Sequence, residues 1–341
     1  MFEKIVHKIK EELSNCKRPL FFFHDDPDGL ASFLLLYRFI REGKGVAVKS
    51  KPLVDMKFLK LVEEYEPDKI FVLDIAQMDQ KFADAVHVPI VWIDHHDLPE
   101  IDNVKYFNPK QEHPGSTVPV TYLCYRAVEQ DEWIGMIGCI GDWHMPDFRE
   151  KFSIKYPDLL PDKIKTAEDA LFKTKLGSLV RAFSFILKGK TSDAMKCVKI
   201  LTRINDPAAI LEQKTPAGKF IYKKFDKINR LYEKLLHDAL KNAKKSKKMI
   251  VFTYKDSTIS FTSDLSNEFM HKYPAKVIYI AREKSGEMRG SLRSNKGGLP
   301  SVLSKAISGL EGYGGGHENA CGVSVAVRDF KQFVENLERE L

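Results

Sequence analysis

Pro19-Leu20-Phe21-Phe22-Phe23 runs directly into His24-Asp25-Asp26-Pro27-Asp28-Gly29, and this junction decides how the chain is read. A short, wholly apolar, β-prone run ending in turn residues reads as a buried strand of a parallel sheet. The pattern recurs twice. Lys69–Leu73 (KIFVL) ends at Asp74, and Pro89–Ile93 (PIVWI) ends at Asp94-His95-His96-Asp97. In open α/β sheets, ligands bind beyond the carboxyl ends of the strands. Three such strands therefore carry carboxylates and imidazoles to one sheet edge. Unpaired carboxylates there would repel and raise one another's pKa. Divalent cations relieve that repulsion, and two of them about 4 Å apart make a phosphoryl-transfer site.

Around this core the pattern alternates to about residue 148. Helical spacing covers Gly29–Ile40, Phe58–Tyr65, Phe82–Val86 and Thr117–Glu129; extended segments cover Gly45–Lys49, Ile70–Asp74 and Val91–Asp94. That alternation predicts a parallel sheet with helices on both faces. From about 150 to 245 strand signals vanish, and Phe and Leu at helical spacing predict three or four helices, the last one long. Strands are expected again at Met249–Thr253, Thr258–Phe261, Ala275–Ala281 and Gly286–Leu292. A glycine-rich turn, a strand through Cys321–Val327 and a helix from Asp329 follow. The expected domains are 1–150, 151–246 (a helical connector) and 247–341.

The chain has 341 residues, 43% hydrophobic and 30% charged, which are globular proportions. No run of 18 apolar residues suggests a spanning helix, and the N-terminal MFEKIVHKIKEEL reads as an amphipathic helix, not a signal peptide. Five scattered cysteines without a CxxC pair suit reduced thiols in a cytoplasm and argue against a thiolate zinc site. The net charge of +7, with a run KNAKKSKK at 241–248, suits a polyanionic partner or, more plainly, a solvated helix end.

Read from the residues alone, His24, Asp26, Asp28, Asp74, Asp94, His95, His96 and Asp142 (in Gly138-Cys-Ile-Gly-Asp142) are the candidate site. Oxygen and imidazole donors suit manganese, magnesium less well, and leave zinc in a thiol-free site as an alternative. Gly115-Ser116-Thr117 is either a phosphate-binding helix start or a plain cap; His144 and His113 read as incidental. In the C-terminal part, Gly312-Tyr-Gly-Gly-Gly-His317-Glu-Asn319 offers close backbone approach and an anion nest. Arg289, Ser291 and Arg293 alternate onto one strand face, where the arginines can grip phosphate.

At these residues the chain resembles the DHH phosphoesterase superfamily, in the manner of RecJ exonucleases and nanoRNases. The matching motifs are His24-x-Asp26-x-Asp28-Gly29-x-x-Ser32, Asp74, Asp94-His95-His96 and Gly141-Asp142. The resemblance implies two manganese ions, with magnesium or cobalt as substitutes, held by Asp26, Asp28, Asp74, His95 and Asp142, with Asp74 as bridge. It implies that His96 contacts the scissile phosphate and that Asp94 orients the histidines. Many relatives have a histidine four residues before the first Asp, where this chain has Phe22. Either His24 ligates from a shifted position, which keeps Gly29 and Ser32 in place, or His24 aligns with the family histidine and Leu30 replaces a ligand.

Residues 249–330 resemble the first type of DHH-associated domain, implying substrate contacts from Arg289, Arg293, Ser294, Gly315, Gly316, His317 and Asn319. The expected architecture is thus a parallel-sheet DHH domain, a helical connector and a smaller α/β domain, with the active site in the cleft between the two sheet domains. The associated domain of pyrophosphatases lacks this glycine–histidine string. The expected activity is hydrolysis of short or single-stranded RNA or DNA to mononucleotides by two-metal-activated water. The alternatives are a cyclic-dinucleotide or 3′-phosphoadenosine phosphoesterase and a non-catalytic nucleic-acid-binding replication factor. The expected partner is an oligonucleotide or nucleotide; no membrane is implied, and a homodimer is compatible.

Overall fold

A computed structural model describes residues 2–49, 52–255 and 259–341. The chain divides between Asp226 and Lys227 into two compact units.

In the first unit, five strands pair in the order β2-β1-β3-β4-β5: β1 Pro19–His24, β2 Lys44–Val48, β3 Lys69–Leu73, β4 Ile90–Ile93 and β5 Lys105–Phe107. All four pairings are parallel. Leu20 to Phe23, Ile70 to Leu73 and Val91 to Ile93 are completely buried, as strands covered on both faces require. The first helices are α1 Glu3–Ser14, α2 Pro27–Ile40, α3 Leu59–Tyr65, α4 Gln80–Ala85, α5 Val120–Val128 and α6 Glu132–Gly141. α2 packs against both α5 and α6.

α2 starts where it does for local reasons. Asp26 is its N-cap, its carboxylate accepting from Gly29 N at 2.9 Å, with Pro27 at the first helical position. A Cβ at Gly29 would sit 2.5 Å from the His24 carbonyl oxygen, so only glycine lets the helix turn this tightly away from β1. Arg38 near its end grips Asp131 through two nitrogens, at 2.7 and 2.8 Å, and the carbonyls of Thr202 and Ile204. That anchors α2 to the helical segment that follows.

That segment holds six helices among the described residues, more than the spacing predicted: α7 Arg149–Lys155, α8 Ala167–Lys173, α9 Lys175–Leu187, α10 Thr191–Leu201, α11 Ala208–Leu211 and α12 Pro216–Asn242. Thr166 and Thr174 cap α8 and α9. These caps and the short α11 break what apolar periodicity alone reads as fewer, longer helices.

Among the described residues the second unit has six strands in the order β10-β11-β9-β8-β7-β6: β6 Lys244–Lys245, β7 Met249–Tyr254, β8 Val277–Lys284, β9 Glu287–Arg293, β10 Gly312–His317 and β11 Ala320–Ala326. Only β7 and β8 run parallel. α13 Thr262–Lys272 packs on β8 and β9. α14 Leu299–Ile307 and α15 Phe330–Glu340 contribute to the core on one face.

Two expectations change here. Of the strand expected at Thr258–Phe261, Thr258 lies outside the described residues, and the described residues 259–261 form no strand but lead into α13. The glycine-rich string is not a turn but the edge strand β10, whose low intrinsic β-propensity is overridden by pairing along β11. Part of the lysine run also has structural partners, with Lys245 over the Tyr273 ring and Lys248 Nζ donating to the Glu338 carbonyl. Among the described residues no helix is long and apolar enough to cross a membrane.

Candidate metal centre and nucleotide-contact face

Three groups of donors converge at the carboxyl ends of β1, β3 and β4 and the end of α6. They are His24-Asp26-Asp74, Asp74-His95-His96 and Asp28-His95-Asp142, with the donor atoms of each within 4.8 Å of one another. Asp74 and His95 each belong to two groups. Asp74, 1% exposed, holds a left-handed backbone (φ 56°), unusual for a non-glycine residue and characteristic of functional sites.

The groups are already tied together. His24 Nδ1 lies 2.9 Å from Asp26 and 3.3 Å from Asp74. His95 Nε2 lies 3.2 Å from Asp74, and its Nδ1 3.6 Å from Asp142. Burial alone would lower the pKa of His95, but Asp74, Asp142 and Asp28 together raise it to about 10. His24 is likewise raised well above its usual range, by Asp26 and Asp74 against the effect of burial. Burial pushes Asp142 up to about 7, helped by repulsion from Asp74. Asp74 itself stays ionised: burial opposes this, but hydrogen bonds from His24 and His95 hold its pKa well below the usual carboxylate range.

Protonated imidazoles thus supply positive charge that a divalent cation would supply instead. The donors are all oxygen and imidazole, and they suit a hard or borderline ion such as manganese or magnesium.

His96 is also held from behind. Asp94, completely buried, accepts from His96 Nδ1 at 2.7 Å and from its backbone N at 3.2 Å. Tyr106 O–H donates to Asp94 at 3.2 Å, and Asn108 Nδ2 donates to the His96 carbonyl at 3.0 Å. This clamp fixes the imidazole tautomer, with Nε2 on the side of the ring away from Asp94. Tyr106 and Asn108 carry no motif, and nothing in the local sequence singles them out.

Asp28 has a task that the sequence did not reveal. Its two carboxylate oxygens accept the backbone N–H groups of Val120 and Thr121, at 3.0 and 2.7 Å. Asp28 therefore caps the first turn of α5 from 92 residues away, while also reaching toward His95 and Asp142. Gly115-Ser116-Thr117 is not at the helix start: α5 begins at Val120 behind Pro119, and the first α5 amides are taken by Asp28. His144 and His113 lie edge-on to Tyr122 and Phe2.

In the second unit, β8 and β9 join through Ser285-Gly286, both with positive φ, a two-residue hairpin that fixes the register. Arg282 thereby faces Arg289, which pairs in turn with Ser324 on β11. Arg289, Ser291 and Arg293 share the face opposite the core side chains Met288 and Leu292.

They differ in access. Arg289 is exposed and bound to Glu287 at 2.8 Å. Arg293 is largely buried, its Nε donating to Asn267 at 2.9 Å, and Ser291 is covered by Thr262 and Ser263 of α13.

A cavity of about 440 Å³ opens where Arg282, Arg289, Tyr313, Gly315 and Ser324 meet. Gly315 and Gly322 leave open space above the strand there. Gly316 has φ 151°, and a Cβ on it would fall 2.2 Å from the Ala320 carbonyl. His317 is exposed at the end of β10, and Ser294 N donates to the Asn319 carbonyl at 3.1 Å. Arg282 and Tyr313 were missed. Counting back from the Ser285-Gly286 hairpin places Arg282 opposite Arg289.

Family models match parts of both units. Residues 20–149 match the DHH family N-terminal domain, and residues 246–341 match the DHHA1 domain. The chain belongs to the DHH family and carries a DHHA1 domain. No curated protein sequence matches it.

Among solved structures, RecJ from Thermus thermophilus in complex with Mn2+ is similar at 16% identity and a TM-score of 0.70. The match covers 98% of this chain and 54% of that one, so the chain spans about half the length of that relative. An exonuclease RecJ bound to manganese matches at 15% identity and a TM-score of 0.62, covering 98% and 92%. A pGpG-specific phosphodiesterase from Vibrio cholerae matches at 13% and 0.51, covering 95% and 99%. Likeness at these identities establishes the shared fold.

Proposed function

We propose that this protein is a manganese-dependent phosphodiesterase that removes mononucleotides from short or single-stranded RNA or DNA. The observation that carries the reading is the overlap of the three donor groups through Asp74 and His95, which suits two neighbouring ions better than one. Asp26, Asp74, His95 and Asp142 would hold them, with His24 beside Asp26 and Asp28 behind. The bound ions would supply Lewis acidity toward the phosphoryl group and a nucleophile at neutral pH.

The remaining roles belong to side chains. Asp74, shared by two of the donor groups, would hold both ions and keeps its charge at every physiological pH. His96, oriented by Asp94 and with its pKa raised by that partner against burial, would present Nε2 to a phosphate oxygen or to the leaving group. Arg289, Gly315, Gly316, His317 and Asn319 would contact the substrate's nucleotide end, with Arg282 beside them. Arg293 and Ser294 would act by holding that strand end in place.

The test is hydrolysis, with and without manganese, of end-labelled RNA and DNA of two, five and about twenty-four nucleotides, with cyclic di-AMP alongside. Preference for the shortest linear oligomers is the expected result. Cleavage of cyclic di-AMP alone would replace this reading with the cyclic-dinucleotide one, and cleavage of none would return the chain to a non-catalytic role.

A further inference from the structure

Helix α6 ends in an arrangement that normally calls for glycine. Its last residues close a Schellman motif: Trp143 N donates to the Ile140 carbonyl at 3.1 Å and His144 N to the Cys139 carbonyl at 2.9 Å. The residue between cap and exit must be left-handed, a place usually filled by glycine and sometimes by asparagine. Here it is Trp143, at φ 58°. An L side chain adopts this conformation at a cost in backbone strain, and a bulky one gains nothing from the cap itself.

Full burial of the ring does not offset that strain. Trp143 is 36% exposed, whereas the other two tryptophans, Trp92 and Trp133, are at most 2% exposed. It meets the ring of Phe172 edge-on, at 5.8 Å and 61°, which steadies one edge of the indole. It also directly follows Asp142, so its Cα lies about 3.8 Å from that of a metal-centre carboxylate.

We infer that Trp143 is a stacking platform for a nucleobase of the substrate, holding the nucleotide next to the phosphodiester at the metal centre. This rests on the phosphodiesterase reading above and extends it. The first unit would grip a base as well as a phosphate, which makes the preferred substrate an oligonucleotide rather than a base-free phosphate ester. Stacking on an exposed aromatic tolerates every base, since each has a π-face. Contact at Trp143 therefore sets a requirement for a base without setting a sequence.

Because Trp143 is the exposed tryptophan, its emission reports the contact without turnover. The experiment titrates the whole protein, in calcium, with a single-stranded pentanucleotide and with an abasic phosphodiester oligomer of equal charge. Expected results are quenching by the pentanucleotide and little by the abasic oligomer. Trp143→Ala, followed by anisotropy of a labelled pentanucleotide, should bind about 10-fold more weakly, and Trp143→Phe should recover most of the loss. Trp143→Gly should melt above Trp143→Ala, by roughly 2–4 °C, because glycine relieves the left-handed strain.

Equal quenching by the abasic oligomer, or unchanged affinity in Trp143→Ala, would overturn the inference. Failure of the phosphodiesterase reading looks different: base-dependent quenching with no hydrolysis of any oligonucleotide in manganese.

Discussion

Asp28→Asn separates architecture from chemistry at the metal centre. The substitution keeps the shape of the side chain and one acceptor oxygen, but it places an NH2 group where the second oxygen now meets a backbone N–H. Asp28 is 2% exposed, and its partners, the Val120 and Thr121 amides at 3.0 and 2.7 Å, lie in the first turn of α5. One hydrogen bond to a charged group is lost and one buried helix amide is orphaned, a loss of about 2–4 kcal/mol.

A smaller term runs the other way. Burial, with Asp74 and Asp142, pushes the Asp28 pKa well up, so removing its charge relieves repulsion by roughly 1 kcal/mol. The net expectation is a destabilisation of about 2 kcal/mol, or roughly 4–8 °C in the melting temperature of the first unit. Calorimetric melting with a chelator present measures it without any contribution from bound ions. A variant that melts at or above the wild-type temperature would refute the capping role of Asp28.

Other expectations follow from the same geometry. Asp74→Ala should lower hydrolysis by at least ~10²-fold and abolish tight manganese binding in titration calorimetry; near-normal turnover would sink the two-ion assignment. Metal-free protein should lose stability as pH rises from about 4 to 10. Asp142, raised to about 7, and His95, raised to about 10, both favour the fold in their protonated forms, and that contribution disappears as each deprotonates. Asp74 has the opposite sign, but its transition lies at acid pH, so melting in chelator between about pH 5 and 10 should show a steady decline that manganese flattens. Gly316→Ala should destabilise the β10–β11 edge by about 1–3 kcal/mol, since its Cβ would strike the Ala320 carbonyl. Gly315→Ala, which meets nothing within 4 Å, should melt as wild type but raise KM for oligonucleotides.

Much of the fold was legible because buried parallel strands are written as continuous apolar runs. PLFFF, KIFVL and PIVWI became β1, β3 and β4, and the acidic and histidine residues at their ends did meet. What was illegible depended on distant pairing. KYF at 105–107 has no strong pattern, yet it pairs with β4 and brings Tyr106 to Asp94. GYGGGH has the composition of a turn, and only its antiparallel partner makes it a strand. The capping duty of Asp28 depends on a helix start 92 residues later, which no local pattern encodes. Arg289 and Arg293 were rightly placed on one face by the two-residue period, but burial of Arg293 under α13 required knowing where α13 lies. The strain at Trp143 was nearest to being readable: a tryptophan stands just past a helix end where glycine is the common choice.

The donors of the metal centre come from four segments scattered between His24 and Asp142, brought together by parallel pairings that an extended chain lacks. An unfolded chain therefore offers an ion no comparable pocket, and whatever binds there binds the folded state alone. At a free ion concentration about 100 times its dissociation constant, that linkage adds about 2.7 kcal/mol to the first unit. The second unit has a core of its own and gains nothing directly from the ion. Supply of the ion thus changes the resistance of the first unit to proteolysis and leaves that of the second unaltered.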